Sequence, residues 1–333
     1  MTATPILGQD KAVGQFASAW ASRRLHHAWL LAGPKGVGKA SFARAAAARV
    51  LADAAGPASE LAGIATDPDH PIVKLVEAGS HPDMRLLERQ LNDKGDKLNR
   101  NIKVDQIRAL GQFMGLTAAR SPWRVAVIDT VDDLEGSGAN ALLKMLEEPP
   151  ANTLFFLVSN APGRLLPTIR SRCRRLDFQA LDDDAMTSIL EIQAQSLGPD
   201  DRRQVIALAG GSAGRALAFA ELGLAKLEES ATAILRQGDP TNARRSALAG
   251  ELGKKGSADR YAAFLDLAPS LIAREARNLE GSARERALDG YAKARELAVI
   301  APRLSLDPAA TVFQLGGILA EIAPPTQPAS LKR

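Results

Sequence analysis

Cysteine is almost absent from this chain: a single residue, Cys173, stands among 333. No intrachain disulfide and no cysteine-based zinc site can be assembled from it. Aromatic residues make up only 4%, too few for stacked single-stranded nucleic acid to be the main business of the surface. Histidine is scarce at four residues and without metal-ligand spacing; His26 and His27 are adjacent and are expected to point apart on a strand. Long apolar runs are missing, and the N-terminus lacks the basic, apolar and cleavage-site order of a secretory signal. No membrane span is therefore expected, and the cytoplasm is the expected location. Neither sign of charge is in large excess. A formal net charge of +4 permits an acidic partner such as DNA without demanding one, and the arginine-rich runs at 244–245, 274–277 and 284–286 read as solvated helix faces.

What is present describes a globular chain long enough for two or three domains, with 46% hydrophobic and 24% charged residues. Gln9 to Leu25 reads as an amphipathic helix with Val13, Phe16, Ala17 and Trp20 on its apolar face. Ala28 to Ala32 is a short apolar strand, followed by a glycine-rich turn and an alanine-rich helix to about Leu51. The segment from Ala52 to about Pro71 is a loop-heavy insertion, and 92–101 is a polar loop. Strands are expected at Met84–Leu87, Val125–Asp129 and Leu154–Ser159, with a weaker one at Arg174–Phe178. Helices are expected from Val104 to Met114 and from Asn140 to Glu148, the latter stopped by Pro149-Pro150. Alternating strands and helices imply a parallel, helix-covered sheet. After Leu181 the pattern is helical throughout.

Gly33-Pro34-Lys35-Gly36-Val37-Gly38-Lys39 follows a strand and opens a helix, the context that turns a glycine-rich run into a phosphate-binding loop. Gly36 and Gly38 let backbone amides turn toward a phosphate, and Lys39 adds its ammonium. Ala40 stands where a serine or threonine hydroxyl normally ligates Mg²⁺, and Ser41 lies about 100° further round the helix. Asp129, at the end of a buried strand, is the usual metal-side acid. The following position, where ring-forming ATPases carry a water-polarising glutamate, is Thr130. Asp132 and Asp133 are expected in the loop leaving that strand or at the cap of the next helix. Arg172, in Ser171-Arg172-Cys173, is a candidate for delivering charge to a transition state. Cys173 is read as a packing residue. Glu147 and Glu148 diverge on a helix and are no catalytic dyad; nothing local accounts for acids at that helix C-terminus.

These signatures occur in one order. His27 to Lys39, His81-Pro82-Asp83, Val127-Ile128-Asp129, Asn140-Ala141-Leu142-Leu143-Lys144-Met145-Leu146-Glu147-Glu148-Pro149-Pro150 and Ser171-Arg172-Cys173 together resemble the bacterial clamp-loader branch of the AAA+ superfamily. The likeness is strong over about the first 180 residues. Gly211 to Arg215 and Leu304 to Pro308 fit its lid and collar in position.

The resemblance implies an α/β plus all-α protein. It would have a RecA-like parallel-sheet domain at 1–180, a helical lid at 181–225, a helical collar at 226–323 and a tail at 324–333. Within the branch, Ala40, Thr130 and the intact Ser-Arg-Cys favour the non-hydrolysing delta-prime family, as do the closing collar motif and a length that leaves no room for a tau-type extension. By implication Arg172 acts in trans on ATP held by a gamma/tau motor subunit, in a hetero-pentamer that also contains a delta subunit. That assembly loads a sliding clamp at primer–template DNA. Gly33, Gly36, Gly38, Lys39, Asp129, Asn160 (sensor 1) and Arg215 (sensor 2) are the candidate nucleotide contacts. ATP or ADP at the loop is allowed but not required. The family often carries a four-cysteine zinc module in the insertion at about 52–80; this insertion has no cysteine, and no zinc is expected. Two alternatives stay open: a hydrolysing motor subunit, and an unrelated P-loop kinase. Any polymerase activity would belong to the holoenzyme, since no polymerase-type carboxylate cluster is recognisable.

Overall fold

The computed structural model describes residues 6–92, 95 and 98–324. The expected tail beyond 324 and part of the loop at 92–101 lie outside the described residues. The chain divides into two compact units, Met1–Ile189 with Gly211–Gly214, and Leu190–Gly210 with Arg215–Arg333.

In the first unit the helices are α1 (Asp10–Ala21), α2 (Lys39–Ala55), α3 (Pro71–Glu77), α4 (Val104–Gly115), α5 (Gly136–Glu147), α6 (Pro167–Ser171) and the start of α7 (Asp183–Gln193). They surround β1 (Ala28–Ala32), β2 (Met84–Glu88), β3 (Arg124–Asp129), β4 (Thr153–Ser159) and β5 (Arg174–Asp177), paired in the order β2-β3-β4-β1-β5 with every pairing parallel. This is the RecA-like P-loop sheet that the motifs imply. β1, which delivers the glycine-rich loop, is an inner strand between β4 and β5.

The sheet is covered on both faces, so its inner strands read as unbroken apolar runs. The two-residue period still sorts their side chains. Trp29, Leu31, Val125, Val127, Leu154 and Phe156 pack with Phe16 and Phe42 of α1 and α2. Leu30, Ala126, Ile128, Phe155 and Leu157 pack on the opposite face with Ile107, Leu110, Leu142 and Leu146 of α4 and α5. Phe16 sits edge-on to Trp29 at 5.2 Å and to Phe42 at 5.8 Å.

Several local expectations change. Helix α1 buries Ala12, Phe16 and Ala19, with Val13 and Trp20 only half-buried, so its apolar face is rotated from the expected stripe. Helix α5 begins at Gly136 rather than Asn140, with Gly138 buried in its first turn, where a side chain would meet Ile107. The rings of His26 and His27 stack at 4.4 Å instead of diverging, because both precede β1 rather than lie on it. The insertion contains α3, opened by Pro71 and capped by the His70 side chain, which accepts from the Ile72 amide at 3.2 Å.

The rest of the insertion is held by Arg49. Its guanidinium meets Asp53 at 2.7 Å and donates to the carbonyls of Ser59, Leu61 and Ala65 at 2.7–2.9 Å. Trp20 and the Ser59 amide complete the Asp53 carboxylate. Every charge in this cluster has a partner, as burial demands. Among the described residues no group of three or more His, Cys, Asp or Glu side chains is placed to hold a metal ion.

The described residues of the second unit form helices and their connecting turns. These are α8 (Pro199–Ala209), α9 (Ala213–Glu221), α10 (Leu224–Gln237), α11 (Ala243–Leu252), α12 (Ala258–Ala276), α13 (Gly281–Leu304) and α14 (Pro308–Ile322). Helix α14 is almost entirely apolar and buries Val312, Leu315, Leu319 and Ile322 among α10 to α13. Asp307 caps it, accepting from the Ala310 amide at 2.8 Å, with Pro308 at the first helical position. Glu228 of α10 pairs with Arg274 of α12 at 2.8 Å. No helix among the described residues is long and apolar enough to cross a membrane.

Candidate functional site

The glycine-rich loop leaves β1 and ends at Gly38, which caps α2 with φ +100°. Gly36 has φ +78°, and a side chain there would run into the Ser212 hydroxyl and crowd Gly214. Only glycine satisfies both constraints. The segment 211–214 is tied to this loop: Ser212 donates to the Lys35 carbonyl at 3.0 Å, and the Gly214 amide donates to the Gly36 carbonyl at 2.9 Å.

Lys39, the first residue of α2, is only 3% exposed. Its ammonium donates to the Gly33 carbonyl at 2.7 Å, to the Pro34 carbonyl and to Asn160 Oδ1 at 2.9 Å. Burial draws its pKa down to about 8, against the opposing fields of Asp129 and Asp132. Three acceptors match the three donors of the ammonium.

Asp129 ends β3 as expected. Burial raises its pKa, with Glu88 and Asp133 adding to the rise and Arg44 and Lys39 opposing it. The donor set at this end of the sheet fits a phosphate: turned amides, a helix N-terminus and a lysine. It fits a ligated Mg²⁺ poorly. Ala40 offers no oxygen, Ser41 is exposed on the helix surface, and Thr130 carries no carboxylate beside Asp129.

Asp132 does something the sequence did not disclose. It lies in a single 3₁₀ turn, Val131–Asp133, and its carboxylate crosses to the end of β4. There it accepts from the Ser159 hydroxyl at 2.8 Å and from the amides of Asn160 at 2.5 Å and Ala161 at 3.4 Å. It thus lies in the segment leaving β3, the first of the two places expected for it, and not at a helix cap. A carboxylate so engaged fixes the turn from which Asn160 reaches Lys39.

Arg172 follows α6, the five-residue helix opened by Pro167 and anchored by buried Ile169. Its Nη1 donates to the Thr168 carbonyl at 3.0 Å and its Nη2 pairs with Glu147 Oε1 at 2.8 Å. Cys173 is half-buried, and desolvation pushes its thiol up to about 12, consistent with packing and not nucleophilic use. Gly33, Gly36, Gly38, Lys39, Asp129 and Asn160 are thus brought together. Arg172 makes its own contacts with α5 and α6. Arg215 belongs to the second unit, where its guanidinium donates to the Ser270 hydroxyl at 3.3 Å and lies over the Phe219 ring at 5.4 Å.

Comparison with known proteins covers this same region. A family model described as DNA polymerase III, delta subunit, matches residues 8–182, more than half of the chain. A protein of Pseudomonas aeruginosa named DNA polymerase III subunit delta' is 37% identical over 193 residues, which is 56% of this chain and 53% of the relative. The chain belongs to the clamp-loader delta-prime family of DNA polymerase III. A Bacillus subtilis protein of the same name is 36% identical over 165 residues, 49% of this chain and 45% of its own length. The matched span is therefore about half the length of these relatives. The Escherichia coli DNA polymerase III subunit tau is 32% identical over 190 residues, 57% of this chain and 27% of the relative.

In this delta-prime family chain, two further residues hold the domain at opposite ends of the parallel sheet. Gln9 donates to the carbonyls of Val37 at 3.3 Å and Gln179 at 2.9 Å, tying the glycine-rich loop to the exit of β5. Asp83, in the His-Pro-Asp motif, accepts from the amides of Ala119, Arg120 and Ser121 at 2.6–2.9 Å. Burial alone would raise its pKa, but these three amides and His81 outweigh it and hold the carboxyl below the ordinary range. The motif is thus a clamp on the segment entering β3. Neither residue carries a local pattern that would reveal its partner.

Proposed function

We propose that the chain is the non-hydrolysing stator of a DNA polymerase III clamp loader and lends Arg172 to ATP held by a neighbouring motor subunit. The observation that carries this reading is an asymmetry within one domain. Its own phosphate loop lacks the metal-ligand hydroxyl and the water-polarising carboxylate, at Ala40 and Thr130, whereas Arg172 stands 35% exposed on a short anchored loop. A guanidinium so presented can stabilise charge developing on a transferring phosphoryl group.

On this reading the loop residues Gly33, Gly36, Gly38 and Lys39 serve architecture first, with Asp129, Asn160 and Arg215 as the remaining nucleotide contacts of a site able to take ATP or ADP without turning it over. The lid spans 181–225 and the collar 226–323. The partners are gamma/tau motor subunits and a delta subunit in a hetero-pentamer acting on the sliding clamp at primer–template DNA in the cytoplasm. The similarity to the tau subunit keeps one rival, a hydrolysing motor. Turnover of Mg²⁺-ATP by the purified chain, with and without DNA, separates the two. Background-level hydrolysis is expected, and robust hydrolysis would overturn the stator reading.

A further inference from the structure

Glu147 ends α5, where the helix dipole disfavours a carboxylate. Its partner is Arg172, 25 positions on, with Nη2 and Oε1 2.8 Å apart. The two side chains are 35% and 47% exposed, and exposed pairs of this kind contribute little to folding. Stability is therefore a weak reason for the pair. Its physical effect is on conformation. An arginine side chain has many rotamers, and ordering it at the moment of reaction slows a step that depends on its position. Here the order is already in place. The loop is rooted by Ile169 in the core shared with Leu142 and Leu146 of α5. One nitrogen of the guanidinium is held by the Thr168 carbonyl and another by Glu147. One of its five N–H donors is taken by the Thr168 carbonyl, and Glu147 meets Nη2 as an ion pair.

We propose that Glu147 is the positioning residue for Arg172: its ion pair holds the guanidinium on its loop, in place for the γ-phosphate of a nucleotide on the adjacent subunit. This rests on the in-trans role given to Arg172 above. The pair also explains why an acid stands at the end of a helix that its own dipole would leave neutral. Glu148, one residue on, has no such partner role and continues into Pro149-Pro150.

The test uses full-length chain assembled into the clamp loader, with Glu147→Ala, Glu147→Gln, Arg172→Ala and the Glu147→Ala/Arg172→Ala double variant. DNA-stimulated ATP hydrolysis is measured over a range of ATP concentrations. Glu147→Ala is expected to lower kcat by about 3- to 10-fold with KM for ATP changed less than about twofold, because the nucleotide is bound by the neighbour and only the transition state loses a placed charge. Glu147→Gln, whose amide oxygen still accepts, is expected to recover at least half of the lost rate. The double variant is expected to match Arg172→Ala alone. An Arg172→Ala loader that is slow beside a Glu147→Ala loader at the wild-type rate would overturn the positioning role and leave the in-trans role standing. An Arg172→Ala loader at the wild-type rate would overturn the in-trans role itself, and the positioning role with it.

Discussion

Lys39 and Asn160, 121 positions apart, meet at 2.9 Å, the lysine ammonium donating to the amide oxygen. The contact joins the start of α2, reached from β1 through the glycine-rich loop, to the turn after β4, the neighbour of β1 in the parallel sheet. Behind it stands Asp132, which fixes the Asn160 backbone at 2.5 Å. In a hydrolysing P-loop protein the lysine serves the nucleotide. Here the same three residues form a hydrogen-bonded strut inside the domain, and that gives the phosphate loop an architectural task measurable without any nucleotide.

Lys39→Met keeps most of the packing volume and removes the three donors. It leaves the carbonyls of Gly33 and Pro34 and the amide oxygen of Asn160 without their partner. The expected loss is about 1–3 kcal/mol of unfolding free energy, read from urea melts of the isolated chain in nucleotide-free buffer. Unchanged stability would mean that the lysine is kept for ligand alone.

Asp132→Ala should destabilise by about 2 kcal/mol, since it strips partners from one hydroxyl and the backbone amides of the β4 turn. Its distinguishing sign is faster hydrogen exchange at the Asn160 and Ala161 amides, with exchange elsewhere in the sheet little changed. Uniform exchange throughout would contradict a local clamp.

The parallel sheet was legible because buried strands leave unbroken apolar runs, as in Val125 to Ile128, and because the glycine-rich loop marks β1. What escaped notice depends on contacts remote in sequence. Asp132 reaches residues 159–161, and no local pattern distinguishes it from Asp133. Glu147 looked misplaced until Arg172 was seen beside it. Helix α3 did leave a signal, a proline at its first position after a histidine cap. His26 and His27 stack because they precede β1, where the alternation of a strand does not apply. The residues of the phosphate loop were readable as a set; the hydrogen bonds of Lys39 to Gly33, Pro34 and Asn160 were not.

Asp83 sets part of the acid limb of stability. Its folded pKa lies below the unfolded value of about 3.9. The stabilisation is therefore fully present above that value and is lost as pH falls through the lower folded pKa. Asp83→Asn should lower stability at pH 7 and flatten its dependence on pH below about 4. Thermal melts of both chains between neutral and acid pH read the difference; parallel curves would contradict it.

Arg49→Met removes the cation that holds Ser59, Leu61 and Ala65 and leaves Asp53 buried beside Trp20. Breaking a buried pair on one side costs about 3 kcal/mol or more. Early proteolytic cleavage confined to residues 56–70 is the expected readout, ahead of global unfolding. Equal resistance in both chains would show that the cysteine-free insertion is held by something else.

The central claim is that the chemistry served by this chain takes place on a neighbour. Its most direct measurement is the pre-steady-state rate of ATP hydrolysis by a loader assembled with Arg172→Ala chain, compared with wild type under identical DNA and clamp. Arginines acting in trans on phosphoryl transfer contribute about 10³-fold or more at the site they face. The expected result is loss of the hydrolysis phase belonging to that site, with assembly and nucleotide binding preserved. A wild-type rate at every site would contradict the account.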